Sequence, residues 1–200
     1  MKFSPRNEDT RQFIIESTAA IFNQKGYSGT SLTDLTEATK LTKGSIYGNF
    51  ENKEAVAAAV FEYNSKQRVD AMNAAVNAAI TYREKLLVYA TFFGVNSGKL
   101  FPKGGCPFLN TGVEADDTNE MMRRKVADAL LAWKKRITDL ILQGIEAGEF
   151  KEDTDANSIS ISLIALAEGG IFMSSVTRNH IYTRAVAATA STIIGNICRT

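Results

Sequence analysis

Residues 30–53 read TSLTDLTEATKLTKGSIYGNFENK, and no other part of the 200-residue chain restricts its fold as tightly. Ser31, followed three residues later by Asp34, is close to a capping box, so a helix starts there and sets Leu32, Leu35 and Ala38 on one face. That helix ends near Thr39. Lys40 and Leu41 form the turn, with Leu41 directed inward, and Thr42 caps a second helix through Gly48. Two short helices joined by so brief a turn must cross steeply, which is a helix-turn-helix.

The second helix carries features that stability alone does not explain. Gly44 and Gly48 each cost about 1 kcal/mol relative to Ala in a helix interior. Lys43 in its first turn, and Lys53 just after the cap Asn52 of the next helix, face the positive end of a helix dipole. Cations and free backbone N–H groups gathered at helix starts suit a bound anion, phosphate foremost, and glycine lets backbone approach it closely.

The flanking sequence is helical throughout. A first helix opens at Pro5 or near Asn7 and carries Ile14, Thr18, Ile21, Phe22 and Lys25 at helical spacing, with Gly26 as its terminator. Phe13, Ile14, Ile15, Ile21 and Phe22 are expected to form a small core with Leu32, Leu35, Leu41 and Ile46. From Asn52 an Ala-rich run without Gly or Pro predicts one long helix to about Ile80, a candidate hinge. Thr81 and Glu84 form a capping box for the next helix. Residues 94–106 hold four Gly and one Pro and make the largest loop, after which Pro107 starts a short helix, PFLNTGVEA. Asp117 with Glu120 starts a helix whose stripe includes Met122, Val126, Trp133, Ile137 and Ile141, and Gly148 stops it. Asp153 or Asp155 caps a further helix. Its alternating SISISLIAL would also suit a strand, but its cap and length favour helix. A last helix runs from about His180 to Ile197.

Composition narrows the function classes. Net charge is +1, and residues 1–53 hold seven Lys or Arg against six Asp or Glu, so any DNA affinity rests on where the cations sit. Cys106 and Cys198 are far apart and form no metal-ligating spacing, which argues against a disulfide framework or zinc. One His, no G-x-S-x-G and no phosphate-binding glycine loop leave no recognisable nucleophile and base, so neither an enzyme nor a cofactor is expected. The opening MKFSPRNEDT lacks an apolar core and no 18-residue apolar run follows, so a cytoplasmic protein without a membrane span is expected.

The stretch RQFIIESTAAIFNQKGYSGTSLTDLTEATKLTKGSIYGNFENKEAV resembles the N-terminal DNA-binding domain of TetR/AcrR family transcriptional regulators. The matching features are Ile14, Ile15, Phe22, the Lys25-Gly26-Tyr27 turn, Thr30-Ser31, Lys43-Gly44, Tyr47, Phe50 and Lys53. GGCPFLNTGVEADDTNEMMRRKV resembles a GCP-type motif met in one group of these regulators. The resemblance implies an all-α fold, with a three-helix DNA-binding domain over 1–52 and a helical-bundle ligand-binding and dimerisation domain over 53–200. It implies a ligand-responsive repressor that binds palindromic double-stranded operator DNA as a homodimer.

Carried over residue by residue, the resemblance assigns Thr30, Ser31 and Lys53 to phosphate, and Thr42, Lys43, Gly44, Ser45 and Tyr47 to the recognition helix. Asn49 stands where the family often has His and remains a candidate contact. Lys40 stands where the family usually has Gly, so either Lys adopts a left-handed conformation at a cost of about 1 kcal/mol or more, or the turn is reshaped. Tyr89, Phe92, Phe93, Phe101, Phe108, Trp133, Phe172 and Met173 are candidates to line a cavity for an apolar or aromatic effector, with Asn110 and Glu114 as polar orienters. A plain core is the competing reading for each. Ile164, Ile171, Ile193, Ile194 and Ile197 on the last two helices are expected to pair across a two-fold axis. Two alternatives stand beside this reading: a ligand-insensitive DNA-organising protein of the same fold, and a thiol-based redox sensor using Cys106.

Overall fold

The computed structural model describes residues 7–95 and 103–199, without the side chains of 92–95. Among the described residues the chain is all-α, with nine helices and one isolated antiparallel bridge between Phe150 and Cys198. The helices are α1 (Glu8–Gly29), α2 (Leu32–Thr39), α3 (Lys43–Asn49), α4 (Lys53–Ala78) and α5 (Tyr82–Val95). They are followed by α6 (Pro107–Ala115), α7 (Glu120–Glu146), α8 (Ala156–Thr177) and α9 (Ile181–Ile197).

Packing divides the chain elsewhere than at residue 52. One compact unit joins Met1–Gln67 to Phe101–Ala127, and the other joins Arg68–Leu100 to Asp128–Thr200. The physical reason is α6, which packs on α1 and α4: the Phe108 ring lies 6.0 Å from that of Phe61. Asn110 Nδ2 donates to Asn23 O at 2.9 Å, and Asn23 Nδ2 donates to Lys103 O and Gly105 O, both at 3.0 Å.

In the first unit the caps follow local chemistry. Asn7 Oδ1 accepts from Thr10 N at 2.8 Å and starts α1. Gly26, at φ 73° and ψ 179°, interrupts the helix where a terminator is expected, and one more short turn follows. Ser31 and Asp34 complete a reciprocal capping box at α2, and Lys40 takes the left-handed conformation at φ 57° and ψ 18°. Ile14, Leu35, Ile46 and Val56 are fully buried and Phe50 nearly so, which locks α1, α2, α3 and the start of α4 together. Phe13 departs from the expected core and is 47% exposed, because Ile14, Ile15, Thr18 and Phe22 take the inward stripe. Asn119, and not Asp117, caps α7, its Oδ1 accepting from Met122 N at 3.0 Å.

In the second unit α5, α8 and α9 pack on one another around Leu86, Leu163 and Ile194. Asp155 Oδ1 accepts from Ser158 N at 3.0 Å and starts α8 as a helix through the alternating segment. A side chain at Gly170 would place its Cβ 2.3 Å from Val186 Cγ2, so α8 and α9 approach closely there. Ile171, Ile194 and Ile197, expected at an interface between copies, are instead buried within the chain. The apolar residues that α8 and the start of α9 leave exposed are Ile161, Phe172, Met173, Val176 and Ile181. By length and composition alone, α8 is the one helix among the described residues apolar enough to cross a membrane.

Candidate nucleic-acid interface and ligand positions

The reading surface is built by anchoring α3 from beneath. Ile46 is fully buried and Phe50 follows as the C-cap, with Arg11 stacked 4.7 Å above its ring. Thr42 Oγ1 accepts from Ser45 N at 3.2 Å and fixes the start of the helix. Thr42, Lys43 and Gly44 are left exposed, with Ser45 and Tyr47 half-buried beside them. Gly44 is not demanded by packing: a Cβ there would meet nothing nearer than Thr42 Oγ1 at 3.9 Å. A glycine that weakens an exposed helix without serving the fold leaves backbone open to an incoming group. Ser31 is exposed at the start of α2, and Lys40 is exposed in the turn. Lys25, 2.6 Å from Asp34, and the Ser31 amide and hydroxyl hold the Asp34 carboxyl down at about 2.

Three residues assigned to DNA make hydrogen bonds within the chain. Thr30 is fully buried and donates to Gly26 O at 2.6 Å. Asn49 is 3% exposed; its Oδ1 accepts from Asn7 N at 3.0 Å and its Nδ2 donates to Ser45 O at 2.9 Å. Lys53 Nζ donates to Tyr27 O at 2.8 Å and to Thr30 O at 2.9 Å, and sits 4.3 Å over the Tyr27 ring. Each ties the turn before α2, or the end of α3, to a neighbouring helix.

Glu114, expected to orient an effector, grips the same turn. Its two carboxylate oxygens accept from Tyr27 N and Ser28 N, both at 2.7 Å. Burial pushes its pKa up, but the Ser28 and Tyr27 bonds outweigh this and hold it below the usual range. A side chain at Gly26 would put its Cβ 2.4 Å from Glu114 Oε2, so both the positive φ and the approach of the carboxylate require glycine there.

The remaining expected ligand residues divide between the units. Tyr89 and Trp133 are buried in the second unit and line a small pocket, about the size of one water, with Arg68, Val69, Met72 and Arg136. The Arg68 guanidinium lies 4.0 Å over the Trp133 ring and 3.1 Å from Glu168 Oε1. Burial pushes the Tyr89 phenol up, against the pull of Arg136 and Arg68. Phe108, Asn110 and Glu114 belong to the first unit, where Asn110 and Glu114 line a separate cleft. Phe172 and Met173 are 55% and 43% exposed and stand on the outer face of α8. Phe101 and the side chains of Phe92 and Phe93 lie outside the described residues. Cys106 is buried at the start of α6 and makes no side-chain capping bond. No cluster of His, Cys, Asp and Glu fit to hold a metal occurs among the described residues.

The chain matches known proteins at both ends. Residues 14–60 match the family described as bacterial regulatory proteins, tetR family, and residues 83–190 match the tetracyclin repressor-like C-terminal domain. A TetR family transcriptional regulator from Cytophaga hutchinsonii is 52% identical over the whole of both chains, and its crystal structure superposes with a TM-score of 0.95. A TetR transcriptional regulator from Chloroflexus aurantiacus J-10-FL is 30% identical, with a TM-score of 0.91 over 96% of this chain and 97% of that one. The HTH-type transcriptional repressor DhaR of Mycobacterium sp. (strain GP1) is 27% identical over 171 residues, 84% of each chain. The anchored α2–α3 pair and the helices that follow it thus place this chain in the TetR family of bacterial DNA-binding transcriptional regulators.

Proposed function

We propose that this protein is a homodimeric repressor that holds a palindromic operator through Ser31, Thr42, Lys43, Gly44, Ser45 and Tyr47, and releases it when an apolar or aromatic effector binds. The observation that carries the reading is the exposed N-terminal half of α3, with Gly44 open to approach and Ile46 pinning the helix from below. Thr30, Asn49 and Lys53 shape this head from within. DNA binding belongs to residues 1–52, and effector binding and dimerisation to 53–200.

The exposed apolar residues Phe172, Met173, Val176 and Ile181 support pairing of α8 and α9 with the same helices of a second copy. Such pairing accounts for the apolar length of α8 without a membrane, in a protein that works in the cytoplasm. Two-fold symmetry asks for half-sites about 34–36 Å apart. Tyr89, Trp133 and the Arg68 and Arg136 side chains that gather beside them support an effector position in the second unit, and effector and operator weaken each other's binding by one common factor.

The test pairs Lys43→Ala with Tyr47→Ala. Operator retardation is expected to disappear while light scattering still reports a dimer. Unchanged DNA binding overturns the contact assignment.

A further inference from the structure

The first unit holds a second cavity, apart from the pocket at Tyr89 and Trp133, and Asn110 and Glu114 of the expected effector set line it. It is an open cleft between the C-terminal half of α1, the first half of α4, α6 and the start of α7. Phe22, Val60, Phe61 and Met122 make its floor, and none is more than 7% exposed. Asn64, 3% exposed, also lines it. Its Nδ2 donates to Ala19 O at 3.1 Å, while its Oδ1 accepts from no described residue. Glu114 is the one charged side chain in the lining, and both its oxygens are taken by the Tyr27 and Ser28 amides.

These features select among ligands. Apolar walls around a few fixed polar groups are the usual makeup of a small-molecule site. A lining with one carboxylate and no cation repels anions, and a carboxylate already bonded twice offers little to a cation. An amide oxygen without a donor among the described residues, on a side chain otherwise held in the wall of the cleft, favours a molecule that brings one.

We propose that this cleft is a ligand site for a small, neutral, mainly apolar molecule carrying one hydrogen-bond donor, of the phenol or indole class, and that it is separate from the pocket at Tyr89 and Trp133. An occupant touches Glu114, which forms one wall and also grips the turn leading into α2.

The probe is 2-naphthol, titrated calorimetrically into the full chain in the absence of DNA, so the outcome is independent of operator binding. One saturable site per chain is expected in the micromolar range. Thr118→Trp, at the exposed edge of the cleft, is expected to weaken binding at least about tenfold, and Trp133→Ala to leave it unchanged. Asn64→Leu should weaken 2-naphthol but not naphthalene, which separates loss of the acceptor from loss of the fold. Each variant is first checked for native helix content by circular dichroism. Absence of saturation up to about 1 mM overturns the proposal. Binding that survives Thr118→Trp, whether or not Trp133→Ala removes it, overturns it too.

Discussion

Replacing Lys53 by Met keeps most of the side-chain length, removes the charge, and separates two roles for this residue. In the structure its ammonium donates to the Tyr27 and Thr30 carbonyls at 2.8 and 2.9 Å and covers the Tyr27 ring at 4.3 Å. Hydrogen bonds to a charged group are worth about 1.5–3 kcal/mol each, and these two are partly solvated, so the low end applies. The ring contact adds about 0.5–1 kcal/mol. Methionine regains part of the loss by packing its sulfur on Tyr27, worth about 0.3–1.5 kcal/mol. The net loss is about 2–4 kcal/mol, which for a chain of this size lowers Tm by roughly 4–15 °C. The assay is thermal unfolding at one fixed protomer concentration, since a dimer's Tm depends on it. A parallel measurement follows operator affinity against salt concentration. If Lys53 is the clasp described above, the salt slope is unchanged. A Tm within about 1 °C of the parent, with the slope reduced by about one phosphate per half-site, makes Lys53 a phosphate contact and refutes the clasp.

Lys40→Gly relieves the left-handed strain at φ 57° and should raise stability by about 0.5–1 kcal/mol after the entropy of the added glycine; a lower Tm contradicts this. Asp34 has a folded pKa lowered to about 2, chiefly by Lys25, so its contribution is present above the ordinary value of 3.8 and is lost as pH falls through about 2. A carboxyl titration by NMR with a midpoint near 3.8 would remove that contribution. Gly170→Ala drives a methyl into Val186 and should cost about 1–3 kcal/mol, partly restored by Val186→Ala; purely additive losses in urea unfolding contradict the contact. Phe172→Asp with Val176→Asp is expected to yield monomers by light scattering, and a persisting dimer would move the interface elsewhere.

What the sequence made legible was what is decided locally. The Ser31–Asp34 box, the Thr42 and Asp155 caps, the break between α4 and α5 and the strained turn at Lys40 each depend on residues within four positions of one another. Lys53 and Asn49, assigned to DNA, and Glu114, assigned to an effector, have distant partners within the chain. Lys53 reaches back 26 and 23 residues, Asn49 reaches 42, and Glu114 bonds backbone 87 and 86 residues away. A motif preserves such a residue's position without saying which way its side chain turns. The exposed stretch of α8 failed for another reason. Phe172 and Ile171 are equally apolar neighbours in sequence, yet one faces out and the other in, and only the path of α9 decides which is which.

The bond from Asn7 N to Asn49 Oδ1 has a practical corollary. The last residue of α3 is braced by the residue that starts α1, so a change to the peptide leading into Glu8 acts on the tilt of the reading helix. Asn49→Ala, which removes the acceptor, is therefore expected to loosen the end of the reading helix, read as a lower operator affinity at unchanged salt slope.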